Sequence, residues 1–142
     1  PVISQQPVVS NAGSAEGKIT SSNVEAKIVG SFLVVSLSDL REKHLIRFYD
    51  PEGKQTYPII AYLASGGKLV TAMSVSENCR SDDFYLEGDN IHCAQCPSYW
   101  NASSMEAYAC CQKYYPDPIP STVLGDEIRI ELASIRDWKA RS

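Results

Sequence analysis

The fold is decided by two apolar runs and the turn between them, Tyr57-Pro58-Ile59-Ile60-Ala61-Tyr62-Leu63, Ser65-Gly66-Gly67-Lys68 and Leu69-Val70-Thr71-Ala72-Met73-Ser74-Val75. Both runs are rich in β-branched and aromatic residues, which favour strands. A short connection containing glycine between two such runs is typical of a β-hairpin. The segment therefore predicts an antiparallel pair of strands.

Further strands are predicted on both sides of this hairpin. The β-branched run over residues 28–37 ends at Ser38-Asp39 with a short break, and residues 44–49 alternate before the turn at 50–53. Residues 126–132 alternate strictly and read as a closing strand, followed by a short helical turn over 134–138. The pattern predicts a mostly β protein with little helix, built as an antiparallel meander that forms a small sheet or barrel.

The size and charge of the chain describe one domain without a basic surface. Its 142 residues are ordinary for a single domain, and its net charge of -4 argues against nucleic acid as a partner. Residues 1–25 are rich in Ser, Asn, Gln and Gly, and they predict a flexible tether leading from a membrane or another domain. Residues 26–142 are the predicted β-rich domain. No apolar run of about 18 residues is present, so we expect no membrane span in this sequence.

All five cysteines fall in one irregular part of the chain. The region around them, residues 76–120, is rich in Asn, Ser and Tyr and shows little period, so it predicts an irregular lobe that must be cross-linked. Two interpretations compete. One is a thiolate metal site, and the other is a disulfide framework formed from Cys79, Cys93, Cys96, Cys110 and Cys111.

The metal interpretation starts from Cys93-Ala94-Gln95-Cys96, because two residues between thiols allow a turn that aims both sulfurs at one ion. Cys79 and either Cys110 or Cys111 are placed to complete a tetrahedral set. His92 adjoins the pair and could replace a thiol. Thiolates favour zinc, iron–sulfur clusters or Cu(I), and the spacing alone does not choose between iron, zinc and copper.

Two interpretations without a metal are also open. The cysteines could serve only as disulfides that stabilise a partner-binding module. Alternatively, Cys93 and Cys96 could exchange disulfides, which requires a thiolate whose pKa is depressed, usually at the start of a helix. The residues after Cys96 have weak helical character and the surroundings are antiparallel. The sequence therefore leans away from an enzyme.

The ordered motifs resemble a known family, the bacterial and archaeal domain of unknown function 2318. The resemblance covers roughly residues 30–134, and it rests on the segments Gly66-Gly67-Lys68-Leu69-Val70-Thr71-Ala72, Ser76-Glu77-Asn78-Cys79, Phe84-Tyr85-Leu86-Glu87-Gly88-Asp89, Cys93-Ala94-Gln95-Cys96, Cys110-Cys111 and Pro118-Ile119-Pro120. It implies an extracytoplasmic domain, often carried by a membrane protein, described as iron–sulfur-containing and encoded beside iron-permease uptake systems.

The sequence departs from that family at two positions. Ser76 stands where the family has the first cysteine of a pair, and Cys110 stands where the family tends to have glycine, so Cys111 matches the family ligand. Losing a thiolate at Ser76 argues against a large cluster and favours a mononuclear site of four cysteines, or disulfides. The resemblance thus implies a metal-handling accessory domain in iron uptake, with Cys79, Cys93, Cys96 and Cys111 as ligands and an iron permease or another membrane transport component as partner.

Overall fold

A computed structural model describes residues 18–64, 68–75, 83–87, 90–94, 99–102 and 116–139 of the chain. Twelve strands and two short helices lie in these residues. In chain order the elements are β1 (Lys18–Thr20), β2 (Ser22–Asn23), β3 (Lys27–Val29), β4 (Phe32–Ser36), α1 (Leu37–Lys43), β5 (Leu45–Phe48), β6 (Ile59–Ala64), β7 (Lys68–Met73), β8 (Phe84–Glu87), β9 (Asn90–Cys93), β10 (Tyr99–Asn101), β11 (Thr122–Leu124), β12 (Glu127–Glu131) and α2 (Leu132–Arg136).

The strands form three sheets of four strands each. The central sheet has the order β2-β5-β6-β7, the terminal sheet β11-β12-β4-β3, and the cysteine sheet, which carries Cys93, β1-β8-β9-β10. The predicted hairpin is confirmed, because β6 and β7 pair antiparallel from Ile59↔Met73 to Ala64↔Lys68. Every other strand pair is also antiparallel except β2 with β5. The mostly β, antiparallel prediction is therefore confirmed, and the described strands form open sheets rather than a barrel.

Both faces of the central sheet are covered, which explains why β6 is buried almost throughout. Successive residues of a strand point to opposite faces, and here Ile59 and Ala61 enter one buried cluster while Ile60 and Tyr62 enter another. We call the first cluster, shared with the terminal sheet, the aliphatic core, and the second, shared with the cysteine sheet, the aromatic core. Strands that are buried on both faces have nearly continuous apolar sequence, and the two strands of this hairpin do.

The predicted break at Ser38-Asp39 is wrong, because these residues belong to helix α1. The Ser36 side chain accepts a hydrogen bond from the Asp39 amide at 3.3 Å, and the helix ends at His44 in the left-handed conformation (φ 69°). Ser36 also ends β4, so a strand pattern and a helix cap share one residue. The helical turn predicted near the C-terminus is confirmed as α2.

Two other boundaries differ from the sequence prediction. Residues 18–23, assigned to the tether, form β1 and β2, so the folded part begins before residue 26; residues 1–17 lie outside the described residues. The cysteine lobe at 76–120 was predicted to be irregular, yet it supplies β8, β9 and β10. These strands are only three or four residues long, too short to show a period in the sequence.

Candidate functional site

Cys93 ends strand β9 on the buried face of the cysteine sheet. It pairs with Phe84 of β8, and its exposed fraction is 2%. Its neighbour Ile91 points to the same face, and all three residues belong to the aromatic core. The first residue of the predicted Cys-x-x-Cys motif is thus placed by a strand, and Ala94, the next residue, lies beyond the end of that strand.

The described residues nearest in sequence to Cys79 and Cys96 on this sheet are Asp83, before β8, and Ala94, after β9, and they lie side by side. The Ala94 amide donates to the Asp83 carbonyl at 3.1 Å, which joins the end of β9 to the start of β8. The Asp83 carboxylate is itself fixed, because it accepts from the Ser21 hydroxyl at 2.5 Å and from the Phe84 amide at 2.9 Å. Cys79 precedes Asp83 by four residues, and Cys96 follows Ala94 by two. Both cysteines lie outside the described residues.

Residues 116–118, the first described residues after Cys111, lie beside β7. Ala72 forms a β-bridge with Pro118, and the Met73 amide donates to the Asp117 carbonyl at 2.9 Å. The chain therefore reaches Pro116 next to the end of β7, where the segment leading to Cys79 begins. Four residues lie between Cys111 and Pro116. Because extended chain spans at most about 3.6 Å per residue, Cys111 lies within about 18 Å of Pro116.

Neighbouring residues connect Asp83, at the start of β8, to Pro118, beside β7, across the central sheet. Arg47 Nε lies 4.0 Å from Asp83 Oδ1, and Arg47 pairs with Ile60. Ile60 pairs in turn with Ala72, the residue that bridges to Pro118. The start of β8 and the Pro116–Pro118 segment are thus at one level of the stacked sheets. Three segments that carry predicted ligands begin or end at this level.

Trp100 of β10 is the largest side chain in the aromatic core, and it has no exposed surface. Its indole Nε1 is buried and has no hydrogen-bond acceptor among the residues that the structure describes. The Trp100 and Phe84 rings lie 6.3 Å apart, although their strands flank β9 and are separated by roughly 10 Å. The two rings therefore lean toward each other over β9, whose residues on this face are Ile91 and Cys93.

His92 lies on the opposite face of β9 from Cys93. Its imidazole is stacked between the Tyr85 ring, at 4.8 Å, and the Tyr99 ring, at 4.7 Å, on the two neighbouring strands. Lys18 Nζ covers the outer face of the Tyr85 ring at 4.4 Å. Desolvation lowers the pKa of His92 below its ordinary value, partly offset by Glu87. The structure thus gives His92 a packing role on the outer face of the sheet.

Of the six predicted ligands, the structure describes Cys93 and His92, and it places them on opposite faces. Cys79, Cys96, Cys110 and Cys111 lie outside the described residues. Within the described ranges no group of three or more His, Cys, Asp or Glu side chains could hold a metal ion. Neither Trp100 nor Asp83 was among the predicted ligands, because an aromatic in a loop-like segment and an acidic turn residue carry no specific signal of their own.

These features define the class, a stacked β-sheet domain with a cysteine motif at one sheet edge. A family model for FtrD-like membrane iron–sulfur-containing proteins matches residues 40–141, well over half of the chain. The chain therefore belongs to the FtrD-like family. This confirms the relation to iron–sulfur membrane proteins that the motifs implied, while the narrower assignment to domain 2318 stays a prediction.

Comparisons with individual proteins give the fold alone. No curated protein matches the chain with significance. A chain from the solved complex of reduced oxygenase and oxidized ferredoxin in carbazole 1,9a-dioxygenase matches with a TM-score of 0.54 and 16% identity, covering 70% of this chain and 90% of that one. Among the residues that the structure describes, no helix is long and apolar enough to cross a membrane.

Proposed function

We propose that this chain is an iron–sulfur domain that serves as a metal-handling accessory in iron uptake. Its ligands would be Cys79, Cys93, Cys96 and Cys111, with Cys110 as the alternative at the last position. The observation that carries this proposal is the buried position of Cys93, the first residue of the Cys-x-x-Cys motif, at the end of β9. Membership of a family described as iron–sulfur-containing supports the same metal.

The residues present fit such a centre on chemical grounds. Thiolates are the protein ligands of iron–sulfur clusters, and hydrogen bonds to the sulfurs help set their reduction potentials. The buried indole N–H of Trp100 is a donor without an acceptor among the described residues, and it lies in the same core as Cys93. A bound centre would supply one-electron chemistry. The sheet edge would hold its ligands, and the aromatic core would exclude water from one side.

The wider role rests on the family and on the motif resemblance. The chain belongs to a membrane iron–sulfur family, and its motifs resemble a domain encoded beside iron permeases. Both features suggest a membrane transport component as the partner. An extracytoplasmic location, with residues 1–17 as part of a tether, belongs to the same proposal.

Reconstitution with iron and sulfide under anaerobic conditions tests the proposal. Iron and acid-labile sulfide are measured per chain in the wild type, in Cys93→Ser and in Cys96→Ser. We expect bound iron in the wild type and a large loss in both variants. The matched control is His92→Phe, which keeps a planar ring between Tyr85 and Tyr99 and should retain the iron.

Other outcomes separate the rival interpretations. Equal iron in the wild type and Cys93→Ser would refute the ligand assignment, and iron loss in His92→Phe would restore the imidazole as a ligand. If protein purified without affinity resin contains zinc or copper, that ion replaces iron as the proposed metal. Burial of Cys93 argues against this residue as the attacking thiol of a disulfide exchange enzyme, because reactive cysteines are partly exposed.

A further inference from the structure

We propose that residues 18–24 form a releasable strap that controls how firmly the cysteine-bearing end of β9 is held. While this N-terminal strap is attached, it fixes Asp83, and Asp83 in turn holds Ala94, the residue after Cys93. When the strap detaches, it releases both residues while the three sheets stay folded. The inference goes beyond the proposed function and does not depend on a bound metal.

The N-terminal strap supplies the edge strand of two sheets. β1 lies at the edge of the cysteine sheet, where it pairs with β8, and β2 lies at the edge of the central sheet, where it pairs with β5. Only Ser21 separates the two strands. The Val24 amide then donates to the Arg47 carbonyl at 3.0 Å. One short segment therefore ties the cysteine sheet to the central sheet.

Little apolar burial holds the N-terminal strap in place. None of its side chains is fully buried, and its apolar contacts come from Ile19 against the aromatic core and Val24 against the aliphatic core. β1 and β2 are only three and two residues long, and β2 pairs parallel, which is slightly less stable per residue. Local opening is easiest where few apolar contacts are buried. We therefore expect the strap to open at a lower free energy than the β6–β7 hairpin, which is buried almost throughout.

Asp83 connects the strap to the end of β9 through two different groups. Its carboxylate accepts from the Ser21 hydroxyl at 2.5 Å, and its carbonyl accepts from the Ala94 amide at 3.1 Å. Arg47 Nε lies 4.0 Å from the same carboxylate oxygen, and Arg47 also donates to the Asn23 side chain at 3.3 Å. The contacts thus run without a gap from the strap to the end of β9. Because detachment removes the Ser21 bond, it should loosen Asp83 and, through it, Ala94.

Ser21→Ala is the test variant, and hydrogen exchange followed by mass spectrometry in the metal-free protein is the measurement. The segments compared are 18–24, 83–87 and 90–94, with the β6–β7 hairpin as the reference. In the wild type we expect all three segments to exchange faster than the hairpin. In Ser21→Ala their exchange should rise by about fivefold, because a hydrogen bond to a carboxylate is lost, while the hairpin stays unchanged.

Two control variants accompany this measurement. Ser21→Thr keeps a hydroxyl at the same position and should exchange like the wild type. Ser38→Ala removes a serine–aspartate bond of similar length, 2.6 Å to Asp126, and should raise exchange in α1 instead of the three segments.

Each contrary outcome removes a different part of the inference. A rise confined to 18–24 would overturn the coupling through Asp83, and an equal rise in the hairpin would show global destabilisation instead of a strap. Equal exchange of the strap and the hairpin in the wild type would overturn local opening without any variant. These outcomes do not involve iron, so they are separate from the reconstitution that tests the proposed function.

Discussion

The two faces of the central sheet bury different kinds of side chain. The aliphatic core consists almost wholly of Leu, Ile, Val and Met, with Phe48 as its one fully buried aromatic ring among the described residues. The aromatic core contains the thiol of Cys93, the indole of Trp100 and the phenol of Tyr62, all nearly or fully buried. Polar groups in an apolar layer lower stability unless they are satisfied. One layer is therefore almost purely apolar, while the other also buries polar groups.

The largest effect on stability is expected in the aliphatic core. Ile130 is fully buried and pairs with Leu33, so Ile130→Ala should lower the free energy of unfolding by about 3–4 kcal/mol. Leu124→Ala, on an exposed side chain of the same sheet, should change it by less than about 0.5 kcal/mol. Chemical denaturation measures both. Folded Ile130→Ala should still bind the wild-type amount of iron, and a specific loss of iron would contradict the division between the cores.

A second prediction concerns the ion pair that joins the end of α2 to the turn after β5. Asp50 is 3% exposed and accepts from Arg136 at 2.7 and 3.1 Å and from the Glu52 amide at 2.9 Å. The Arg136 hydrogen bond lowers the pKa of Asp50, although burial opposes the shift. Asp50→Asn should therefore reduce stability at pH 7 by about 2 kcal/mol.

The pH dependence of this ion pair has a defined sign. Because the folded pKa of Asp50 is depressed, the unfolded state binds more protons, and the contribution is complete above the ordinary aspartate pKa of about 3.9. It is lost as the pH falls from there toward the folded pKa. Between pH 7 and pH 2 the free energy of unfolding should fall less steeply with pH for Asp50→Asn than for the wild type. Equal slopes would contradict this role of Asp50.

A third, smaller effect is expected where the central and cysteine sheets are tied together. The Tyr62 hydroxyl donates to the Ala102 carbonyl at 2.6 Å in the interior, and burial raises the pKa of Tyr62. Tyr62→Phe leaves that carbonyl without its donor and should cost about 1.5 kcal/mol of unfolding free energy. Tyr57→Phe, on a ring that is 39% exposed, should be nearly neutral. Similar losses in the two variants would show that the bond contributes little.

The smallest effect is predicted on the outer face of the cysteine sheet. His92 contacts Tyr85 and Tyr99 through both faces of its ring, so His92→Ala should cost about 1 kcal/mol, whereas His92→Phe should remain near the wild type. Thermal unfolding of the metal-free protein measures both changes. Equal losses in His92→Phe and His92→Ala would show that the imidazole nitrogens, rather than stacking, matter here.

Much of the fold could be predicted from residue pattern. The β6–β7 hairpin and β12 were found because continuous or strictly alternating apolar residues mark buried strands. Helix α1 was missed because Ser36 ends a strand and caps a helix at once. Strands β8 to β10 were missed because each is held by its sheet neighbours and not by its own pattern. Pairing between distant segments is a tertiary effect that a local pattern does not contain.

The site was predictable only in part. The Cys-x-x-Cys spacing marked Cys93 as a candidate ligand, because thiolate spacing is a local property, and this assignment stays a prediction. The placement of His92 on the other face depends on where β9 begins and ends, since neighbouring strand residues point in opposite directions. The deep burial of Trp100 follows from pairing with β9, which no local motif records.

The oxidation state of the five cysteines decides between a thiolate site and a disulfide framework. Thiols are counted by alkylation in denatured protein prepared anaerobically, with and without prior reduction. We expect at least Cys79, Cys93, Cys96 and Cys111 to be reduced, and to resist alkylation in the loaded native protein. Four or more oxidised cysteines in metal-free protein would contradict a thiolate site and leave a disulfide framework.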